Sequence, residues 1–111
     1  MVKNGKPYSI ENGRIDDALL TDLPIEDQER VIRWIKKNIA PRKTPNYSCS
    51  SYGIKHWLQN TIGIYLTNNQ FKDAMWQCGY KPVNENKLNW NYRIKLIKHT
   101  EAEHDTWYSS I

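Results

Sequence analysis

No stretch of this sequence approaches the ~18 consecutive apolar residues that a membrane-crossing helix needs, and no charged-then-apolar leader is present. A cytoplasmic protein without a membrane partner is therefore the expectation. Cysteine is scarce: Cys49 and Cys78 are the only two. Their spacing fits no thiolate metal site; Cys49 is expected as a free thiol in a reducing compartment and Cys78 as a small core residue. Enzyme signatures are missing as well. The chain has no glycine-rich phosphate loop, no Cys-x-x-Cys pair and no His-Glu-x-x-His, the short motifs that most directly announce catalysis. His56 stands alone between Lys55 and Trp57, and the carboxylates form no constellation suited to moving a proton. No catalytic residue, metal, cofactor or small-molecule substrate is expected. Internal repeats and low-complexity segments are also lacking.

The most informative absence is that of acids from the middle of the chain. Residues 30–72 hold eight bases (Arg30, Arg33, Lys36, Lys37, Arg42, Lys43, Lys55, Lys72) and no acid. Residues 10–29 show the reverse, with Glu11, Asp16, Asp17, Asp22, Glu26, Asp27 and Glu29 against Arg14 alone. The net charge of +4 over 111 residues conceals this segregation. A basic window of this kind points to a polyanion partner, although solvated surface charge is the simpler alternative.

The apolar content is sufficient for one domain with one modest core: 39% hydrophobic residues, with five tryptophans and seven tyrosines. Met1 to Pro7 reads as a loose start. Asn12-Gly13 between Tyr8–Ile10 and Ile15 suggests a small hairpin, because Asn-Gly suits the two positive-φ positions of a type I′ turn. A first helix is expected over residues 24–39, with Pro24 near its first turn, acids at its start and Lys36 and Lys37 at its end. Val31, Trp34, Ile35 and Ile39 form its apolar stripe, and Arg30, Arg33 and Lys37 are spaced for one shared face. Residues 40–49, with Pro41 and Pro45 around Arg42 and Lys43, read as a loop, either a plain connector or a basic strap along a phosphate backbone.

The organising stretch is residues 50–97. Ser51 can cap a helix whose stripe is Ile54, Trp57, Leu58, Thr61 and Ile62, stopped by Gly63. After Ile64-Tyr65-Leu66, Thr67 and Gln70 form a capping box for a third helix. Gly79 can end that helix, with Tyr80 folding back onto its last turn. Phe71, Ala74, Met75 and Cys78 make one buried stripe, leaving Asn68, Asn69, Lys72, Asp73, Trp76 and Gln77 outward. Leu88, Trp90, Tyr92, Ile94 and Leu96 then alternate with Asn89, Asn91, Arg93 and Lys95, the pattern of a half-buried strand. Residues 80–83 are expected to pair with it through the turn Asn84-Glu85-Asn86-Lys87.

Helix, tight turn, capped helix and hairpin is the order of a winged helix-turn-helix. Leu66-Thr67-Asn68-Asn69-Gln70-Phe71, Gly79-Tyr80-Lys81-Pro82 and Trp90-Asn91-Tyr92-Arg93-Ile94 resemble the winged-helix tail of phage and plasmid primase-helicases. More closely still, the chain resembles small uncharacterised proteins encoded by phages and mobile islands of Gram-positive bacteria. The likeness covers the C-terminal half to two-thirds of the chain, and no ATPase or primase motif accompanies it. Together with the chain length and the Asn12-Gly13 turn, this points to an α+β fold in a single domain over residues 1–111, winged helix-turn-helix-like, with three helices, a C-terminal β-hairpin and an N-terminal hairpin. The expected division is an N-terminal lead-in over residues 1–23, first helix and basic loop over 24–49, winged-helix core over 50–97 and a flexible tail over 98–111. His99 and His104 fall in that tail, in no metal-like spacing.

Two functions from different classes follow. The first is a DNA-binding protein, most naturally on duplex, whose third helix enters the major groove. Asn68, Asn69 and Lys72 would read bases, while Arg42, Lys43, Lys55, Lys87, Asn89, Asn91, Arg93 and Lys95 hold phosphates and set register. Helix capping alone is the blander role for Asn68 and Asn69. The second is a small inhibitor, of the anti-CRISPR kind, that docks on a host nucleic-acid enzyme or defence nuclease. There Trp76, beside Gln77, would be the aromatic anchor.

Overall fold

The computed structural model describes residues 1–97, so the expected tail over 98–111 lies outside the described residues. The elements in chain order are β1 (Val2–Lys3), β2 (Lys6–Pro7), β3 (Ser9–Glu11), β4 (Arg14–Asp16), a 3-10 turn (Leu20–Asp22), α1 (Ile25–Asn38), β5 (Ile39–Asn46), α2 (Ser51–Ile62), α3 (Asn68–Gln77) and β6 (Tyr92–Leu96). Among the described residues the class is α+β, with three helices and short antiparallel strand pairs. No helix among the described residues is long and apolar enough to cross a membrane.

Two Asn-Gly turns build the N-terminal segment. Asn12 and Gly13 have φ of 52° and 76°, and they set β3 against β4 with Ile10 opposite Ile15. Asn4 and Gly5 repeat the device at φ 55° and 74°, pairing Val2 with Pro7. The expected loose start is therefore a second hairpin. Both turns need positive φ at two successive residues, which Asn and Gly tolerate best.

α1 buries Val31, Trp34 and Ile35 as its stripe requires, and α2 buries Ile54 and Leu58. α3 carries the expected termini. The Thr67 hydroxyl accepts from the Gln70 backbone N–H at 3.1 Å, and the Gln70 side chain accepts from the Thr67 N–H at 3.0 Å. At the other end Gly79, at φ 89°, lets the Gly79 and Tyr80 amides turn back onto the carbonyls of Trp76 and Met75. That is the paired bonding of a Schellman motif.

The sequence pattern misplaces the partner of the last strand. β6 pairs with β5, joining Ile39 to Leu96, Ala40 to Lys95, Pro41 to Ile94 and Asn46 to Tyr92. The stretch expected as a proline-containing loop is thus a strand, with an irregularity between Pro41 and Asn46. Proline survives because a two-stranded ribbon leaves each strand one edge where a missing N–H costs no ladder bond. Residues 80–83 contribute one bridge, Pro82 to Tyr92, and the Val83 amide donates to the Asn91 carbonyl. The inner face of the ribbon, Ile39, Tyr92 and Ile94, closes over a core completed by Leu20, Ile64, Leu66, Phe71, Met75 and Trp90.

Candidate nucleic-acid interface

The residues expected to read bases lie inside the molecule. Asn69 and Lys72 are wholly buried, and Gln70 and Asp73 nearly so. The covering layer is the N-terminal segment. Asn69 Nδ2 donates to the carbonyls of Pro7 and Ala18 at 2.9 and 2.8 Å, and its Oδ1 accepts from the Ser9 hydroxyl at 2.9 Å. Asp16 accepts from the Asn69 backbone N–H and from the Thr67 hydroxyl. Its negative charge thereby meets the positive end of the α3 dipole. Asp73 accepts from the Leu20 amide at 2.8 Å. A polar helix face is buried here because polar groups from fifty to sixty residues upstream satisfy it, as burial demands.

Lys72 is the extreme case. Its Nζ donates to Ser9 Oγ at 2.9 Å and lies 4.7 Å from the centre of the Trp90 ring. Burial lowers its pKa from 10.5 to about 8, a shift that the Asp16 carboxylate partly opposes. Lys55 is also drawn in. It is 5% exposed, donates to Gln59 Oε1 at 3.0 Å and sits between the rings of Tyr52 and Tyr65. Burial depresses its pKa too.

Other expected contacts have structural duties instead. Asn68 Nδ2 donates to the Leu88 carbonyl and to Asn89 Oδ1, while its Oδ1 accepts from the Ser51 hydroxyl. Asn91 Nδ2 donates to the Cys49 carbonyl at 2.9 Å, holding the approach to α2 against β6. Trp76 is half-buried rather than outward. Its ring packs 6.1 Å from Trp90, and Lys81 Nζ lies 3.5 Å over it. Gln77 is exposed, with its amide donating to Asp73 Oδ2.

The expected contacts that remain exposed are mostly basic and lie mainly on the ribbon. Arg93 and Lys95 point out of β6, while Tyr92 and Ile94 point in. The pairing puts Lys95 beside Ala40, on the outer face. Arg42 and Lys43 are exposed where β5 departs from regular pairing. The Arg42 guanidinium donates to the carbonyls of Thr44 and Pro45 at 2.9 and 2.7 Å, so one side chain braces the irregular segment and keeps its charge outside. Neither strand contains an acid. Lys87 and Asn89 are exposed on the segment leading to β6. Lys36 and Lys37 add charge at the end of α1, directly before β5.

No family model matches the chain, and no curated protein or solved structure is similar enough to relate it to one. Its function has to be read from its own surface. The structure brings Arg42, Lys43, Arg93 and Lys95 to one ribbon and removes Asn69, Lys72 and Lys55 from contact. The signal that distinguishes these groups is the period-2 alternation, which placed Arg93 and Lys95 outward without knowledge of β5.

Proposed function

We propose that the protein binds duplex DNA through the outer face of the β5–β6 ribbon. In this reading it is a winged helix-turn-helix protein whose wing, and not its third helix, meets the nucleic acid. The chain order supports the fold half of the proposal: α2, a tight turn, capped α3, then β6 with Pro82 bridged to Tyr92. One observation carries the functional half. Four exposed cations, Arg42, Lys43, Arg93 and Lys95, occupy a ribbon whose two strands contain no acid. Such a surface neutralises phosphates and releases counterions, a source of affinity that does not depend on base sequence. The buried α3 leaves no comparable set of groups for base readout.

The test is a titration of random duplex at several salt concentrations with wild type and the double variant Arg93→Gln/Lys95→Gln. Two lost phosphate contacts should weaken all sequences alike and flatten the slope of log affinity against log salt by about 1.8. Absence of wild-type binding at low salt, to duplex and to single strands alike, would end the proposal.

A second reading rests on a different observation. Tyr47, Tyr52 and Tyr65 are 70%, 50% and 72% exposed, and exposed tyrosine is a typical energetic anchor of protein interfaces. An inhibitor docking on a host nucleic-acid enzyme would use these rings, since Trp76 is already engaged by Trp90 and Lys81. Failure of the DNA titration makes this the reading to pursue.

A further inference from the structure

We propose that the notch between α1 and α2 is a phosphate-binding site in which Arg33 and Lys37 recognise the anion and Arg30 supplies a fixed third charge. The inference does not rest on the ribbon, because none of these groups belongs to it. Arg30, Arg33 and Lys37 stand at i, i+3 and i+7 on α1, which brings them to one helix face. They line a cavity of about 210 Å³ that also takes in Trp34 and Thr61 and has no acidic residue in its wall. A notch of that volume has room for one phosphate group.

The wall offers cationic donors. Arg30 Nη2 is fixed by donating to the Ile62 carbonyl at 2.8 Å, across the gap to the last residue of α2. Its other N–H groups stay free of that bond. Among the described residues, neither Arg33 nor Lys37 has a hydrogen-bond or ion-pair partner, and both are exposed. Trp34 is 5% exposed, and its indole N–H is buried with no acceptor among the described residues. Three like charges on successive turns repel one another. An anion between them relieves that repulsion, and a guanidinium offers a phosphate two parallel hydrogen bonds.

The chemistry recognised is a phosphate group, whether a diester in a nucleic-acid backbone or free inorganic phosphate. The experiment is two-dimensional ¹⁵N–¹H NMR of the indole N–H signals, with Trp34 assigned through Trp34→Phe. Sodium phosphate is titrated against sodium chloride at matched ionic strength. The expected result is a saturable shift of the Trp34 signal with phosphate, at least tenfold weaker in Arg33→Gln/Lys37→Gln and unchanged in Arg93→Gln/Lys95→Gln. The same variants are then titrated with random duplex. If the notch seats the backbone, Arg33→Gln/Lys37→Gln flattens the salt slope by about 1.8. If it takes free phosphate alone, that variant loses the phosphate response and leaves duplex binding intact. A shift that chloride reproduces, no shift at all, or one that survives in Arg33→Gln/Lys37→Gln overturns the proposal, whatever the ribbon does.

Discussion

Replacing Lys72 with methionine should stabilise the protein at neutral pH, and the gain should fade as the solution becomes alkaline. Lys72 Nζ is buried with one hydrogen bond, to Ser9, and one aromatic face, Trp90. Its pKa falls from 10.5 in the free residue to about 8 in the fold. That difference corresponds to about 3 kcal/mol at 1.36 kcal/mol per unit, spent on keeping the ammonium charged inside. The sign follows from proton counting. Between pH 8 and 10.5 the unfolded chain holds a proton on this lysine that the folded chain has released, so stability from this group rises with pH. Below about pH 8 both states are protonated and the penalty is constant. Methionine keeps most of the volume and removes the charge, at the loss of a hydrogen bond worth ~1–2 kcal/mol. The variant should therefore be more stable by about 1–2 kcal/mol at pH 7, and that margin should shrink or reverse by pH 10. Urea unfolding of both proteins at pH 7, 8, 9 and 10 measures it. Cys49, Cys78 and Tyr80, whose pKa values burial raises, titrate in both proteins and cancel in the difference, whereas the Met1 amino group, held below its usual range by burial and by the Lys72 charge, adds to the fading of the gain as pH rises. A stability difference that stays constant from pH 7 to 10 would refute the assignment of a depressed lysine.

Two further substitutions test the packing around α3. Phe71 is fully buried, so Phe71→Ala should cost ~3–5 kcal/mol in urea unfolding; a loss below about 1 kcal/mol would mean that the helix does not sit in the core. Asn69→Ala takes the amide donor from the Pro7 and Ala18 carbonyls and the acceptor from the Ser9 O–H, which should cost about 2–4 kcal/mol. Duplex affinity of the folded Asn69→Ala protein should be unchanged; a change in sequence preference would place this residue in a groove after all.

The parts of the fold that depend on near neighbours were legible in the sequence. The Thr67–Gln70 box, the turn at Gly79 and the Asn12-Gly13 hairpin each need a few adjacent residues, and each formed as their chemistry requires. The Asn4-Gly5 turn carries the same signal, but its flanks, Val2-Lys3 and Lys6-Pro7, are too short to show an alternation. β5 was hidden by Pro41 and Pro45, because local composition does not say which edge of a strand will be free. The outward face assigned to α3 failed for a related reason. Polar side chains face water unless something polar comes to meet them, and what meets them, residues 7–20, is far away in the chain. Of the expected DNA contacts, Arg42, Lys43, Lys87, Asn89, Arg93 and Lys95 remain accessible.

The seam between the N-terminal hairpins and α3 also governs the order in which the molecule can assemble. Its bonds join residues 60, 62 and 63 positions apart, and each such closure costs chain entropy before it returns any energy. The α2–α3 pair closes through a short connection, Gly63 to Thr67, and can form early. Docking of Ser9 and Asp16 must wait for a nearly complete α3, because Asn69, Lys72 and Thr67 present one surface only when that helix exists. That docking is then a polar step. It is the desolvation of an ammonium and two amides as they exchange water for the first twenty residues of the chain, a step that added denaturant or low temperature will modulate differently from the collapse of the tryptophan core.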